Sequence, residues 1–477
     1  MISTTAKVVS RILDGVASMA HRQPSTRARI SIAALTVAVL SAAVKLVSLG
    51  PTLLIAAIFG TGDDLDAFFI AFMVPSFVMA IIAGSFSSAI VPTYVRVLRQ
   101  DGLTEAQALL SRVIMLAAVL LCGATAVTAV IVPHVLPVLA LGFSNSKVIL
   151  TRNLFLVLLL LIPIKGMATI YASILHAHRR FFLVSSAPVS VPIVSIILIL
   201  LWTDDSTRIF AVAIGTVVGM FGEMISVAWG VRRLGLDIVP RLSHRSGATR
   251  KVASQYMPMV AGALLVGGTT FVDQSMSASL AAGSVAALNY GGRLVAVVIH
   301  VLAGGLATAV LPYFSSLVDG REWGELRRLL SYYTKLIFYT TPVLAVFLAL
   351  FSQAIVSVFL ERGMFDSSDS LLVGSIQAAY AVRIPFYICG ALFTRLVSAL
   401  VKNQFLMVAA GMSLAANVIL NVIFMELWGV VGIALSTSAV SVLSLGYMMV
   451  FVYRKLPAAR ALGASQTPKS RTVVSKE

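Results

Sequence analysis

The sequence predicts an all-α polytopic membrane protein, with about 12 transmembrane helices in two parallel six-helix lobes around a central cavity. Three observations carry that expectation. The composition is too apolar for water: 59% of the 477 residues are hydrophobic and 12% are charged, about half the charged share of a soluble domain. The chain reads as twelve apolar runs, each near the length that a bilayer-crossing helix requires. A pattern in the second run returns in the eighth at constant spacing. Together these exclude a soluble globular enzyme, a disordered protein and a secreted disulfide scaffold. The two cysteines, Cys122 and Cys389, fall inside apolar runs without metal-ligand spacing and read as small core residues.

The runs span residues 30–58, 67–93, 107–133, 150–175, 183–202, 208–230, 256–282, 286–313, 330–358, 371–399, 405–425 and 429–453. They define a basic N-terminal segment (1–29), an N-lobe of six helices (30–230), a basic connector (231–254), a C-lobe of six helices (255–453) and a tail (454–477). No signal peptide is read at the start. The loops leave no room for an extramembrane catalytic domain, so the chain is not expected to be an enzyme.

Charge orients the spans. With the N-terminus cytoplasmic, 25 of the 36 lysines and arginines fall on the cytoplasmic side and four on the other. That is the asymmetry of the positive-inside rule, and it places both termini inside. Most of the net charge of +17 therefore sets topology and is not a nucleic-acid signature.

The repeat is read from Ala83-Gly84 and Ala89-Ile90-Val91-Pro92 in the second run. Ala303-Gly304 and Ala309-Val310-Leu311-Pro312 answer them 220 residues later in the eighth. Six helices per unit is an even number, so the two halves have the same topology. Transporters of parallel-repeat design hold their site between the halves near the midplane. Gly50-Pro51, Pro75, Pro163, Pro188, Pro192, Pro342 and Pro385 are expected to interrupt their spans, either as ordinary kinks or to open backbone onto a cavity.

Beyond the cations counted to the two sides, seven remain, all within the apolar runs, against only two acids. Arg112, Lys335 and Arg395 sit near helix ends, where long side chains snorkel. Lys45, Lys165, Arg293 and Arg383 sit deeper, as do Glu223 and Asp273. Charges at such depth usually face a bundle interior or a water-filled cavity. The excess of deep cations points to an anionic substrate. The plainer reading pairs the cations with the two acids, Asp273 with Arg293 in particular. Glu223 and Asp273 are either buried pair partners or sites for a coupling proton or Na⁺. Asp66 is either a gate or a helix N-cap. Asn417 and Asn421, four apart on one helix face, fit interhelical hydrogen bonding, and His300 fits a satisfied core histidine. Metal, cofactor and nucleic-acid signatures are absent from the sequence.

One stretch carries a recognisable pattern: Ile58-Phe59-Gly60-Thr61-Gly62, then Asp66-Ala67-Phe68-Phe69-Ile70-Ala71-Phe72, Pro75, and Gly84-Ser85-Phe86-Ser87-Ser88-Ala89-Ile90-Val91-Pro92. Two more agree in order. These are Ala282-Gly283-Ser284-Val285 with Tyr290-Gly291-Gly292-Arg293-Leu294 and Leu311-Pro312, and then Phe359-Leu360-Glu361-Arg362-Gly363-Met364-Phe365. With them the chain closely resembles the MurJ/MviN family of lipid II flippases, within the multidrug/oligosaccharidyl-lipid/polysaccharide exporter superfamily.

The resemblance implies export of an undecaprenyl-pyrophosphate-linked glycan across the inner membrane by alternating access, from a central cationic cavity. Arg293 matches a cavity arginine, Asp66 the motif aspartate, and Lys45 stands where the family usually has an arginine. Pro51, Met79 and Gly84 depart from the family's charged positions, and twelve helices are two fewer than usual. A lipid-linked exopolysaccharide or O-antigen unit is therefore the competing substrate. An organic-cation exporter is a third possibility, which the cation excess disfavours. The implied partners are the lipid-linked glycan, the phospholipid bilayer, and H⁺, Na⁺ or membrane potential as driving force. Lys45, Asp66, Lys165, Arg293 and Arg383 are the expected substrate-binding residues.

Overall fold

A computed structural model describes residue 47 and residues 49–238, 247–400 and 403–455. Lys45, the segment 1–29 and the tail beyond Lys455 lie outside the described residues. The described chain is helical nearly throughout. The helices are α1 (Leu49–Phe59), α2 (Asp63–Gln100), α3 (Gly102–Leu139), α4 (Asn145–Leu158), α5 (Leu161–Ala177), α6 (Phe181–Ser186), α7 (Ser190–Leu201) and α8 (Arg208–Arg233). They continue with α9 (Gly247–Ser277), α10 (Ser284–Asp319), α11 (Trp323–Leu350), α12 (Ser352–Leu360), α13 (Ser367–Ala381), α14 (Ile384–Ala399) and α15 (Asn403–Lys455).

Among the described residues, eight helices are long and apolar enough to cross a membrane, or nine with the bent pair α13–α14 taken as one span. The chain is a multi-pass membrane protein. The sequence expectation of twelve differs at three places: α9, over the seventh run, is not among the counted spans, and the other two differences lie at the ends of the chain. The first run enters the description only at α1, and the last two runs join into α15, which kinks at Trp428 and Gly429. Val218, Phe221, Ile225 and Trp229 make one exposed apolar stripe down α8, the face that a lipid-exposed helix presents.

The repeat extends well beyond the motif that revealed it. Asp63 and Ser284, which open α2 and α10, are 221 residues apart, and their last residues, Gln100 and Asp319, are 219 apart. The pair α4–α5 recurs as α13–α14, each broken after its first arm. Pro163 and Pro385, just past each break, are 222 apart. Phe181, which opens α6, and Asn403, which opens α15, are also 222 apart, as are the final residues Arg233 and Lys455.

Prolines behave in two ways. Pro163, Pro188 and Pro385 lie at helix breaks, where the missing N–H has no bond to lose. Pro75 and Pro342, expected to interrupt their spans, instead sit inside continuous helices. The hydroxyls beside them, Ser76 and Thr341, donate to the Met73 and Ile337 carbonyls at 2.7 Å each. Cys389 is buried as expected, whereas Cys122 is exposed, being on the outer face of α3.

By compactness the chain forms one unit of residues 1–267, 274–286 and 359–369, and a second of 268–273, 287–358 and 370–477. Within the first, α7 and α8 meet at backbone distance. A Cβ on Gly219 would lie 2.6 Å from Val191 Cα, and one on Gly215 2.9 Å from Ser195 Cα. Small residues four apart permit this close approach. Gly219→Leu is expected to force the helices apart, costing about 1–3 kcal/mol, and to lower the thermal midpoint of the detergent-solubilised protein by several degrees.

Candidate functional site

Three polar centres stand out in an otherwise apolar chain. The first lies in the first unit, where the starts of α2, α4 and α10 meet. Asp63, Asp64 and Asp66 occupy the first turn of α2, where negative charge suits the helix dipole. Asp66 does not cap its own helix. Its buried carboxylate, 1% exposed, accepts from the backbone N–H of Gly283 at 2.7 Å and of Ala286 at 2.8 Å. It thereby satisfies two of the unpaired donors at the start of α10. The same carboxylate takes Lys147 Nζ at 2.9 Å, and that nitrogen also reaches Asp63 at 2.6 Å. Lys147 is only 8% exposed and lies 4.0 Å from the Phe143 ring centroid. Below, Ile70, Leu136, Ala140, Ala278 and Val285 form a buried apolar cluster.

The residues 359–369 are tied to the same unit. Met364 N–H donates to the Ala57 carbonyl at 2.8 Å, and the Thr61 hydroxyl donates to Asp369. Two glycines make these contacts possible. Gly283 has φ +84° and Gly363 φ +63°, and a Cβ on either would lie 2.1 Å from the carbonyl oxygen of Thr61 or Ala57. Asp366 caps the start of α13, accepting from Ser368 Oγ at 2.6 Å and Asp369 N–H at 2.9 Å. The Ser368 bond, helped by the backbone one, holds its carboxyl below the ordinary range.

The second centre, in the same unit, pairs a deep cation with one of the two deep acids, as the plainer reading of the sequence had it. Lys165 on α5 and Glu223 on α8 form an ion pair at 2.5 Å. Lys165 keeps 29% of its side chain exposed and Glu223 is buried.

The third centre is in the second unit. Asp273 on α9 is buried and accepts from Asn417 at 2.9 Å, Asn421 at 2.7 Å and Thr437 at 2.9 Å. Ser436 in turn donates to Asn421. Arg383 occupies the break between α13 and α14, its guanidinium 4.7 Å from the Tyr380 ring centroid. This is the opened helix that the following Ile384-Pro385 foretold. Arg293 sits on α10 with its side chain exposed. His300, expected to be a core residue, is exposed, and its ring lies 2.7 Å from the Ala296 carbonyl. Among the described residues no group of His, Cys, Asp or Glu is placed to hold a metal ion.

Lys147 is the member of these centres that the sequence reading missed, because it was counted only among the charges of one side. Its signal was faint: the three acids Asp63, Asp64 and Asp66 lack any nearby cation in sequence.

Comparison with known proteins gives concordant results. The profile of the family described as lipid II flippase MurJ matches residues 55–475. A probable lipid II flippase MurJ of Rhizobium tropici is 24% identical over 413 residues, covering 84% of this chain and 77% of that protein. Among solved structures, a lipid II flippase MurJ in an inward closed conformation superposes with a TM-score of 0.72 at 24% identity, over 89% of this chain and 87% of the other. An inward-facing multidrug resistance MATE family transporter superposes at 0.71 with 15% identity, over 90% and 96% of the chains. At these identities the superpositions speak for the fold.

Proposed function

Because the chain belongs to the lipid II flippase MurJ family, we propose that it moves an undecaprenyl-pyrophosphate-linked glycan of the lipid II type across the bacterial inner membrane, for peptidoglycan synthesis, by alternating access. It is a transporter and not an enzyme. The observation that carries the substrate class is Arg293, an exposed guanidinium on an otherwise apolar helix. Arg383, held at a helix break beside Tyr380, and Lys165 add to it. Guanidinium forks grip pyrophosphate oxygens in pairs, and lysine adds a point charge. Lys45 is assigned the same role by its place in the sequence.

The cytoplasmic placement of both termini, from the lysine and arginine asymmetry, puts Asp66 and the 274–286 and 359–369 segments at the outer face. Asp66 then serves the substrate indirectly, by holding the outer end shut until the two repeat halves rearrange. Asp273 is the proposed coupling site for H⁺ or Na⁺. Its carboxylate sits among amide and hydroxyl groups that supply oxygen ligands, and Asn417 Oδ1 is buried there without a hydrogen-bond partner among the described residues.

Arg293→Ala and Arg383→Ala test the reading in proteoliposomes that carry a fluorescent lipid-linked glycan. Each is expected to lower translocation about tenfold or more while leaving the thermal midpoint in place. Wild-type translocation in both would remove the cationic site.

A further inference from the structure

We propose that Glu223 is a stand-in for the substrate's anionic headgroup: it occupies Lys165 in the empty transporter, and a phosphate or pyrophosphate group displaces it on binding. This rests on the substrate reading above and adds a built-in competitor to one of its cations.

The geometry is that of a replaceable partner. Glu223 Oε1 lies 2.5 Å from Lys165 Nζ. Its other oxygen, Oε2, is buried and has no hydrogen-bond partner among the described residues. The carboxylate is thus engaged with Lys165 through one oxygen, unlike the carboxylates of Asp66 and Asp273, each of which receives three donors.

The lysine is the reachable member of the pair. It begins a partly exposed stripe on α5 with Thr169, Ala172 and His176, at i+4, i+7 and i+11. Gly166, Ala168, Ile170, Tyr171 and Ile174 bury the rest of the helix. A partly exposed ammonium within a membrane helix is unsuited to lipid and faces water or a polar ligand. A pyrophosphate carries more charge and more acceptor oxygens than one carboxylate, so it competes well for the ammonium. Binding leaves Glu223 buried without its counter-charge, an arrangement that disfavours the bound state. That penalty has a use in a carrier, which must let its cargo go. When the headgroup loosens on the far side, Glu223 returns to Lys165 and blocks recapture.

The test is a double-mutant cycle on the full-length protein in nanodiscs, with undecaprenyl pyrophosphate as the probe and thermal unfolding as the folding control. Glu223→Gln is expected to bind about tenfold more tightly than wild type. Lys165→Met is expected to bind more weakly, and the double variant no more tightly than Lys165→Met alone. Glu223→Ala gives the same reading if the glutamine variant does not fold. Inorganic pyrophosphate run in parallel separates the sources of the anion. A gain confined to the lipid assigns the position to a lipid headgroup, and an equal gain with inorganic pyrophosphate assigns it to the charge alone. An unchanged affinity in a folded Glu223→Gln, or a gain that survives loss of Lys165, overturns the proposal. If wild type does not bind the lipid at all, the substrate reading falls first.

Discussion

Asp66→Asn is expected to abolish glycan translocation and to loosen the outer end of the protein. Asparagine has the same shape, so the loss would be electrostatic. Lys147 would keep only Asp63, whose side chain is 61% exposed, as its partner. Removing one member of a buried ion pair costs about 3–5 kcal/mol. The amide would also turn an NH₂ toward N–H groups, leaving a donor at the start of α10 unsatisfied at about 1–3 kcal/mol. The readout is the labelling of a cysteine placed at Ser284, which is buried beside the cap, by a membrane-impermeant maleimide. Labelling is expected to rise in the Asp66→Asn background and to fall part of the way back when Lys147→Met is added. Unchanged labelling with full translocation would remove the proposed role of Asp66.

The second large effect is expected at Asp273. Asp273→Ala leaves Asn417, Asn421 and Thr437 with donors aimed at an empty space. At about 1–3 kcal/mol for each unsatisfied group, it is expected to destabilise the second unit severely. Asp273→Asn keeps the volume and part of the bonding and isolates the functional role. If the carboxylate takes the coupling cation, that variant folds yet loses the stimulation of translocation by an imposed H⁺ or Na⁺ gradient, while slow ungated exchange persists. The measurement is the rate with and without each gradient in proteoliposomes. A folded Asp273→Asn that answers both gradients as wild type does would place the coupling elsewhere.

Much of the architecture was legible in the chain because membrane helices announce themselves by length and apolarity, and because a repeat leaves its spacing in plain view. The chemistry was legible only in part. Arg383 beside Ile384-Pro385 and the Asn417–Asn421 spacing are local signals, and both led to the right surroundings. Asp66 carried two readings, gate and cap, and it does cap, but the helix it caps begins more than two hundred residues away. No local pattern shows that. Lys165 and Glu223 lie 58 residues apart on different helices, so pairing of deep cations with the two acids could be read from the sequence while the choice of Lys165 for Glu223 could not. Pro75 and Pro342 lie inside continuous helices, which fits the ordinary-kink reading and not an opened backbone.

The cap at Asp66 also divides the demands made on the two helix starts. Asp66 accepts from the backbone N–H groups of Gly283 and Ala286, which any residue but proline supplies. One side of the contact therefore depends on a side chain and the other on backbone geometry. Point substitution is expected to break it at position 66, or at Gly283 through its φ of +84°, and not through the side-chain chemistry of position 286.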